Sequence, residues 1–396
     1  MTSSAPRDAA APPVRRRLSL NDPFVRAVLW QAGVALLLGL VAWYLVSNTM
    51  ENLARQAVAT GYGFLDMPAG FHVGEAPIPY SPTDTYGRAF LVGILNTLKV
   101  AAIGIVLATV LGVLLGIARL SGNWLVAKLS AGYVEVVRNV PLLLQLFLWY
   151  GLLTEALPGP RQALEPVPGV FLSNRGLKLP APGEGGGWEL ALYALLAGIA
   201  LTVALSFWNR RRQAATGRRL PMGTIGTGLV AGLPALVLLA LGAPLDVPEL
   251  RGFNFAGGAT LTPELSALLF GLVAYTAAFI GEIVRSGILA VPQGQTEAAR
   301  ALGLSGGQTM RLVVLPQALR VIVPPTTSQY LNLTKNSSLA VAIGYPDFVS
   351  IVNTTINQTG QALEGVAAVM AVYLTISIAL SLLMNWYNAR IALKER

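Results

Sequence analysis

The 396-residue chain has no cysteine, a single histidine (His72) and few charged residues. Without cysteine it cannot form a disulfide framework, a thiolate metal site or a cysteine nucleophile. A single histidine also excludes a histidine metal cluster. Charged side chains make up 12% of the sequence, whereas soluble domains carry about 25%. These absences exclude an ordinary soluble enzyme.

Hydrophobic residues, in contrast, make up 54% of the chain. They gather in stretches of about 20 residues, the length at which a helix crosses the hydrocarbon core of a bilayer. The sequence therefore predicts an all-α, polytopic transmembrane helical bundle in the lipid bilayer. Its eight predicted spans are 27–46, 90–118, 131–153, 188–208, 222–241, 265–289, 325–345 and 366–387.

The net charge of +9 would suggest a nucleic-acid partner in a soluble protein. Here 19 of the 28 lysines and arginines fall in alternate segments between the spans, beginning with the N-terminal one. Since positively charged segments stay in the cytoplasm, both termini are predicted to be cytoplasmic, and no nucleic acid is expected. The arginine-rich loop 209–221 is most simply a stop-transfer anchor, with binding of anionic lipid as the alternative.

The predicted cytoplasmic loop 292–316 carries strong local signals for helix ends. Thr296 can cap a short helix whose first turn begins with Glu297, where a carboxylate meets the positive helix terminus. Gly303 follows at the place where a left-handed C-terminal cap is needed. The first half of the loop therefore predicts a short helix that ends at a glycine corner.

The second half of the loop predicts another short helix. Ser305 and Gln308 have the spacing of a capping box, and the helix should end before Pro316, because residues that precede proline disfavour the helical conformation. A helix, a glycine corner and a second helix, exposed between two spans, form an elbow suited to docking a partner.

The same loop resembles the EAA loop of ABC importer permeases. The sequence Glu297-Ala298-Ala299 is followed by Gly303 and then, after nine intervening residues, by Val313-Val314-Leu315-Pro316, where the family usually has isoleucine in place of Val313. The resemblance implies coupling helices that fit a cleft on an ATPase subunit. The residues it assigns to that contact are Glu297, Ala298, Ala299, Arg300, Gly303, Leu315 and Pro316.

Residues 304–308 read LSGGQ, which is the signature sequence of ABC ATPases. An ATPase also needs a phosphate-binding loop in which a lysine follows a glycine. None of the five lysines in this chain follows a glycine. We therefore expect a chain without enzyme activity or a bound cofactor, with ATP and magnesium held by the partner ATPase.

Four further segments resemble the core helices of polar amino-acid permeases: 97–121, 133–145, 274–287 and 335–339. The resemblance covers about half the chain and implies a five-helix core in 90–155 and 263–396. A tail (1–26), an extra span with an outer loop (27–89) and an insertion with two more helices (156–262) lie outside it. Extra length of this kind resembles the larger permeases of general L-amino-acid uptake systems, the Aap and Bzt type.

The resemblance implies a subunit that carries L-amino acids across the bacterial inner membrane. Its expected partners are two ATPase subunits, a second and non-identical permease chain, and a periplasmic binding protein that delivers the amino acid. An ion-driven secondary transporter is the alternative, and it would show inverted internal repeats. A membrane-embedded enzyme would need intramembrane aspartates or a histidine site, which the sequence does not offer.

Charged groups at membrane depth cost at least about 2.5 kcal/mol and need a partner, water or a function. Glu135 and Arg138 share a helix face, and Glu282 and Arg285 repeat their spacing. Two such pairs at one depth could form an inner gate or a static clamp. Lys99 lies less deep and is expected to reach outward without a role.

Lys335 lies near the middle of its predicted span among polar residues. It could attract a substrate carboxylate, or it could pair with Glu135, Glu282 or a backbone carbonyl. Prolines 141, 324 and 325 could break their helices or be tolerated as kinks. The expected substrate pathway or gate comprises Glu135, Arg138, Gln145, Glu282, Arg285, Asn332, Lys335, Asn336, Ser337 and Ser338.

Overall fold

The computed structural model describes residues 23–55, 61–183, 186–217, 220–242 and 244–391. Most of the predicted tail (1–26) and part of the arginine-rich loop lie outside these ranges.

The described chain is mainly helical, which confirms the predicted helical membrane bundle. Its α-helices are α1 (Pro23–Arg55), α2 (Tyr86–Ala118), α3 (Trp124–Asn139), α4 (Leu142–Gly151), α5 (Gly186–Thr216), α6 (Met222–Thr227), α7 (Leu233–Leu241), α8 (Pro263–Leu289), α9 (Gln293–Ala301), α10 (Gly306–Thr309), α11 (Leu315–Asn336), α12 (Phe348–Thr359) and α13 (Ala362–Ile391).

Six helical segments within the described ranges are long and apolar enough to cross a membrane as single spans. Two further spans are bent pairs, which brings the total to as many as eight. The first pair joins Trp124–Asn139 to Leu142–Ala156 at an angle of 104°, and the second joins Gly306–Ile343 to Phe348–Thr359 at 50°. The predicted span 131–153 crosses the first bend, and the predicted span 325–345 lies almost wholly in the first arm of the second pair.

The sharp bend after α3 is caused by Pro141. Val140 is extended, with φ of −95° and ψ of 128°, as expected for a residue that precedes proline. The side-chain amide nitrogen of Gln145, Nε2, donates to the carbonyls of Val137 and Val140, both at 2.9 Å. These bonds supply partners for carbonyls that the interrupted helix leaves free.

The prolines of α11 do not break the helix. Pro324 and Pro325 lie inside the continuous helix Leu315–Asn336, and both rings are on its exposed face. Carbonyls on an exposed face can tilt outward, which makes room for the proline rings. The expected break at 324–325 is therefore wrong, and tolerance of the two prolines is confirmed.

The core of the bundle lies where α2 packs against α8. A Cβ placed on Gly112 would lie 2.6 Å from the Cβ of Ile280, and one on Gly116 would lie 2.7 Å from the Cβ of Val284. Small residues allow membrane helices to approach this closely. Buried apolar side chains around this contact include Val100, Ala108, Leu146, Leu268, Leu272 and Leu333.

Substitution of Gly116 by alanine is expected to destabilise the chain. The added Cβ would lie 2.8 Å from the carbonyl oxygen of Gly281, and a backbone atom cannot move aside cheaply. Overpacking of this kind costs about 1–3 kcal/mol, so thermal unfolding in detergent should begin several degrees lower. Gly132→Ala is the matched control, because nothing lies within 4 Å of a Cβ there. An unchanged Gly116→Ala protein would contradict the close packing.

Small antiparallel sheets, which the sequence pattern did not predict, cover one end of the bundle. Strands β1 (Leu164–Val167), β2 (Val170–Ser173), β3 (Gly176–Leu179) and β8 (Ala259–Leu261) pair in that order. Two short pairs join β4 (Ala181–Pro182) to β5 (Leu245–Asp246) and β6 (Glu249–Arg251) to β7 (Asn254–Ala256). We call this the sheet end. The other end of α8 leads into loop 292–305 and is the elbow end.

Helices α5 to α7 form a hairpin that leaves and rejoins the chain at the sheet end. The hairpin packs on itself, since a Cβ on Gly198 would lie 2.3 Å from the carbonyl oxygen of Leu229. Helix α1 exposes nearly all of its described side chains. The hairpin and α1 therefore leave apolar surface that this chain does not cover.

Candidate functional site

The elbow begins earlier than the sequence predicts. Helix α9 starts at Gln293, with Pro292 at its N-cap, so Thr296 lies inside the helix and does not cap it. The predicted cap is wrong because the amide of Gln295 already bonds to the carbonyl of Pro292 at 3.0 Å, which closes the first turn. Glu297 is exposed in the middle of this helix.

The glycine corner is as predicted. Gly303 has a φ of 79°, the left-handed conformation that favours glycine. Its amide donates to the carbonyl of Arg300 at 2.9 Å, and the amide of Leu304 donates to that of Ala299 at 3.2 Å. These bonds fix the direction in which the chain leaves α9.

The predicted capping box is also confirmed. The amide of Ser305 donates to Oε1 of Gln308 at 2.9 Å, and the amide of Gln308 donates to Oγ of Ser305 at 3.4 Å. The helix does not end before Pro316, however. It passes through a widened turn, Met310–Val314, into the first turn of α11, where a proline without an N–H is tolerated.

The surface of the elbow combines exposed and buried predicted residues. Of the residues that the sequence assigns to the elbow contact, only Ala299 is buried, at 3% exposure. Its side chain is on the inner face of α9. Among the described residues, Glu297 has no hydrogen bond or ion pair within this chain. The exposed predicted residues are Glu297, Ala298, Arg300, Gly303, Leu315 and Pro316.

A charge cluster lies between α2 and α8 near the elbow end. Arg285 donates to Oε1 of Glu282 at 3.1 Å, as the spacing predicts, and Arg119 pairs with Oε2 of the same carboxylate. The sequence places Arg119 in a loop and does not indicate that it pairs with Glu282. Glu282 therefore pairs within α8 and also joins α8 to the end of α2.

The second predicted pair does not form. The guanidinium of Arg138 lies over the ring of Phe279, with its Cζ 4.8 Å from the ring centroid, and the structure shows no ion pair with Glu135. The predicted Glu135–Arg138 pair is wrong because the aromatic face on α8 holds the arginine instead. A cavity of about 440 Å³ lies here, lined by Arg119, Val134, Glu135, Arg138, Asn139, Phe279 and Glu282.

The residues around Lys335 follow α11 and the turn after it. Lys335 and Asn332 are exposed, Asn336 and Ser338 are half-buried, and Ser337 is buried, where its hydroxyl donates to the carbonyl of Thr334 at 2.7 Å. Among the described residues Lys335 pairs with no carboxylate, so the expected pairing with Glu135 or Glu282 is not found. Gln145 is buried at the Pro141 bend, away from this group.

Lys99, which the sequence left without a role, pairs with Glu75. Glu75 belongs to residues 61–85, which lie across the sheet end and which we call the strap. Its carboxylate also accepts a hydrogen bond from Thr262 at 3.0 Å, and its backbone carbonyl accepts one from Asn96 at 2.8 Å. The strap is thereby tied to both α2 and the start of α8.

Replacement of Glu75 by glutamine is expected to loosen the strap. The side chain of Lys99 is 28% exposed and would lose its carboxylate partner, so local opening should become easier by about 1–3 kcal/mol. Hydrogen–deuterium exchange across 62–85 should rise about tenfold or more, while exchange in α8 stays unchanged. Glu249→Gln, which alters an exposed pair in β6, serves as the control. Equal protection in both variants would contradict the tether.

Comparisons with known proteins identify the family to which the chain belongs. Residues 224–393 match the family described as binding-protein-dependent transport system inner membrane component. The putative amino-acid ABC transporter permease protein YhdX of Escherichia coli (strain K12) is 53% identical over 387 residues, which cover 97% of this chain and 98% of that protein. The chain belongs to the amino-acid ABC transporter permeases.

Two more relatives span the whole chain. The general L-amino acid transport system permease protein AapQ of Rhizobium johnstonii is 50% identical and covers 96% of each chain. The glutamate/glutamine/aspartate/asparagine transport system permease protein BztB of Rhodobacter capsulatus is 42% identical and covers 96% of this chain and 97% of that protein. The resemblance to the larger permeases is confirmed, and the chain is an inner membrane component of an ABC transport system.

Proposed function

We propose that this chain is the membrane-spanning subunit of an ATP-driven importer that carries L-amino acids into a bacterial cell. The observation that carries the proposal is the 53% identity to an amino-acid ABC transporter permease over 97% of the chain. The exposed elbow supports it, because a helix, a glycine corner and a capping box present Glu297 outward without a partner among the described residues.

The elbow end is cytoplasmic in this proposal, and so are both termini. Two ATPase subunits dock there, bind ATP and magnesium and move the elbow, and Glu297, Arg300 and Gly303 lie at the contact. The sheet end faces the periplasm, where a binding protein delivers the amino acid. A second, non-identical permease chain completes the pathway. The exposed apolar faces of α1 and the α5–α7 hairpin offer surface for lipid or for that chain.

The charges at the elbow end divide into two groups by their surroundings. Glu282 and Arg119 join helices whose backbones approach at Gly116, and such close packing favours a static clamp over a gate. Glu135 and Arg138 lie on α3, whose continuation is broken at Pro141, so this helix can shift without α4. We assign the moving side of the gate to α3. Gln145 holds the bend on which that motion depends.

Lys335 is proposed to face the pathway between the two permease chains. An exposed ammonium at membrane depth needs water or a partner, and Asn332 lies on the same exposed side of α11. Either a substrate carboxylate or a group on the second permease can supply that partner. The neighbouring Asn336, Ser337 and Ser338 complete the polar segment.

Uptake into proteoliposomes tests the proposal. The chain is reconstituted with its ATPase, second permease and binding protein, and labelled amino acids are offered with and without enclosed ATP. We expect uptake only with ATP and with all four components. Uptake that follows a sodium or proton gradient in the absence of ATP would instead establish a secondary transporter.

A further inference from the structure

The cavity between α2, α3 and α8 has room for a ligand and is lined by opposite charges. Its volume of about 440 Å³ would hold more than ten water molecules at about 30 Å³ each. Tyr133 of α3, next to this wall, donates its hydroxyl to the carbonyl of Ala274 on α8 at 3.1 Å. The cavity is therefore an open pocket between packed helices, and the lining residues Glu135, Arg138 and Asn139 are exposed.

Two of the four charges in the cavity are already neutralised. Arg119 pairs with Glu282, which also accepts from Arg285. Glu135 has no hydrogen bond or ion pair to any described residue, and Arg138 is held only by the ring of Phe279. The cavity thus offers one carboxylate and one guanidinium that still lack a charged partner.

We propose that this cavity binds a free amino acid, with Glu135 holding the α-ammonium group and Arg138 holding the α-carboxylate. The inference rests on the proposed function and assigns a substrate site to this chain itself. Glu135 and Arg138 are three residues apart on α3, so their Cβ atoms lie about 5–6 Å from each other. An amino acid carries its two charges on neighbouring groups and can neutralise both side chains at once.

Other ligand classes fit the cavity less well. An amine would pair with Glu135 alone and a simple carboxylate with Arg138 alone, so each would make only one of the two charged contacts that an amino acid makes. A guanidinium can also bind a carboxylate through two parallel hydrogen bonds. The rest of the wall carries Val134, Phe279, Asn139 and the Arg119–Glu282 pair. Three of these five residues are polar or charged, so we expect polar side chains to bind better than apolar ones.

Binding is tested on the complete complex of two permease chains and two ATPases in lipid nanodiscs, without the binding protein. The probes are labelled L-glutamine and L-leucine, with N-acetyl-L-glutamine and L-glutamine amide as competitors. We expect saturable binding of glutamine and weaker binding of leucine. Each blocked analogue should bind at least about tenfold more weakly, because it loses one charged contact.

The variants Glu135→Gln and Arg138→Gln separate a binding role from a structural one. Each should weaken glutamine binding at least about tenfold. Glu135→Gln should also bind glutamine and its N-acetyl analogue with the same, weakened affinity, whereas loss of fold would remove the binding of both. The control is Arg161→Gln, because Arg161 also lies over a phenylalanine ring, that of Phe253 at 4.1 Å, but at the sheet end. This control should bind glutamine like the unaltered complex.

The same preparations are assayed for ATP-driven uptake with the binding protein present. If the unaltered complex transports glutamine but shows no saturable binding, or if both variants bind it normally, the cavity site is refuted while the transport function stands. If the unaltered complex transports no amino acid, the proposed function itself fails. Loss of binding in both variants with normal assembly of the complex supports the site.

Discussion

Replacing Glu297 with lysine is expected to abolish ATP-driven amino-acid uptake while the membrane bundle stays folded. Glu297 is exposed on α9 and has no hydrogen bond or ion pair to any residue that the structure describes, so its replacement disturbs none of the described contacts. A lysine there reverses the charge presented to the ATPase and replaces attraction with repulsion. We expect uptake by proteoliposomes to fall at least tenfold, with less ATPase copurifying with the permease.

The control for this charge reversal is Glu249→Lys in β6, which makes the same change at the sheet end. Its uptake should match that of the unaltered chain. Thermal unfolding in detergent should be alike for all three proteins. Normal uptake by the Glu297→Lys variant would show that the elbow does not couple this chain to an ATPase.

Replacing Glu282 with glutamine is expected to destabilise the chain clearly. The side chains of Arg119 and Glu282 are 17% and 29% exposed, and both Arg119 and Arg285 would lose their carboxylate. Loss of one partner from a well-buried pair costs about 3–5 kcal/mol, and partial exposure lowers this to about 2–3 kcal/mol. Unfolding in detergent should report the change.

A double-mutant cycle tests whether this loss arises from the cluster. Arg119→Gln should destabilise the chain clearly on its own and much less when Glu282 is already glutamine. Glu51→Gln is the matched control, because Glu51 and Arg55 form an exposed pair at 3.6 Å that is worth little. Additive effects of the Arg119 and Glu282 changes would contradict the clamp.

Local signals predicted the elbow well. The left-handed glycine at 303 and the reciprocal bonds of Ser305 and Gln308 depend on neighbours within three residues, so the sequence alone carries them. The start of α9 was placed too late because Pro292 and Thr296 both resemble helix starts. The helix propensities of single residues do not decide between two possible helix starts that lie four residues apart.

Long-range contacts could not be predicted in the same way. Nothing near Lys99 in the sequence points to Glu75, which is 24 residues away in a loop, and nothing near Glu282 points to Arg119, 163 residues away. Pairing depends on which helices become neighbours. The Glu135–Arg138 pair failed for the same reason, since Phe279 on another helix holds the arginine.

The strands at the sheet end bring the two ends of the α5–α7 hairpin together. Gly183 donates its amide to the carbonyl of Pro244 at 2.9 Å, immediately beside the paired strands β4 and β5. The whole intervening segment can therefore be excised and replaced by a tight turn without rerouting the rest of the chain. The same junction is therefore a suitable place to graft a reporter domain.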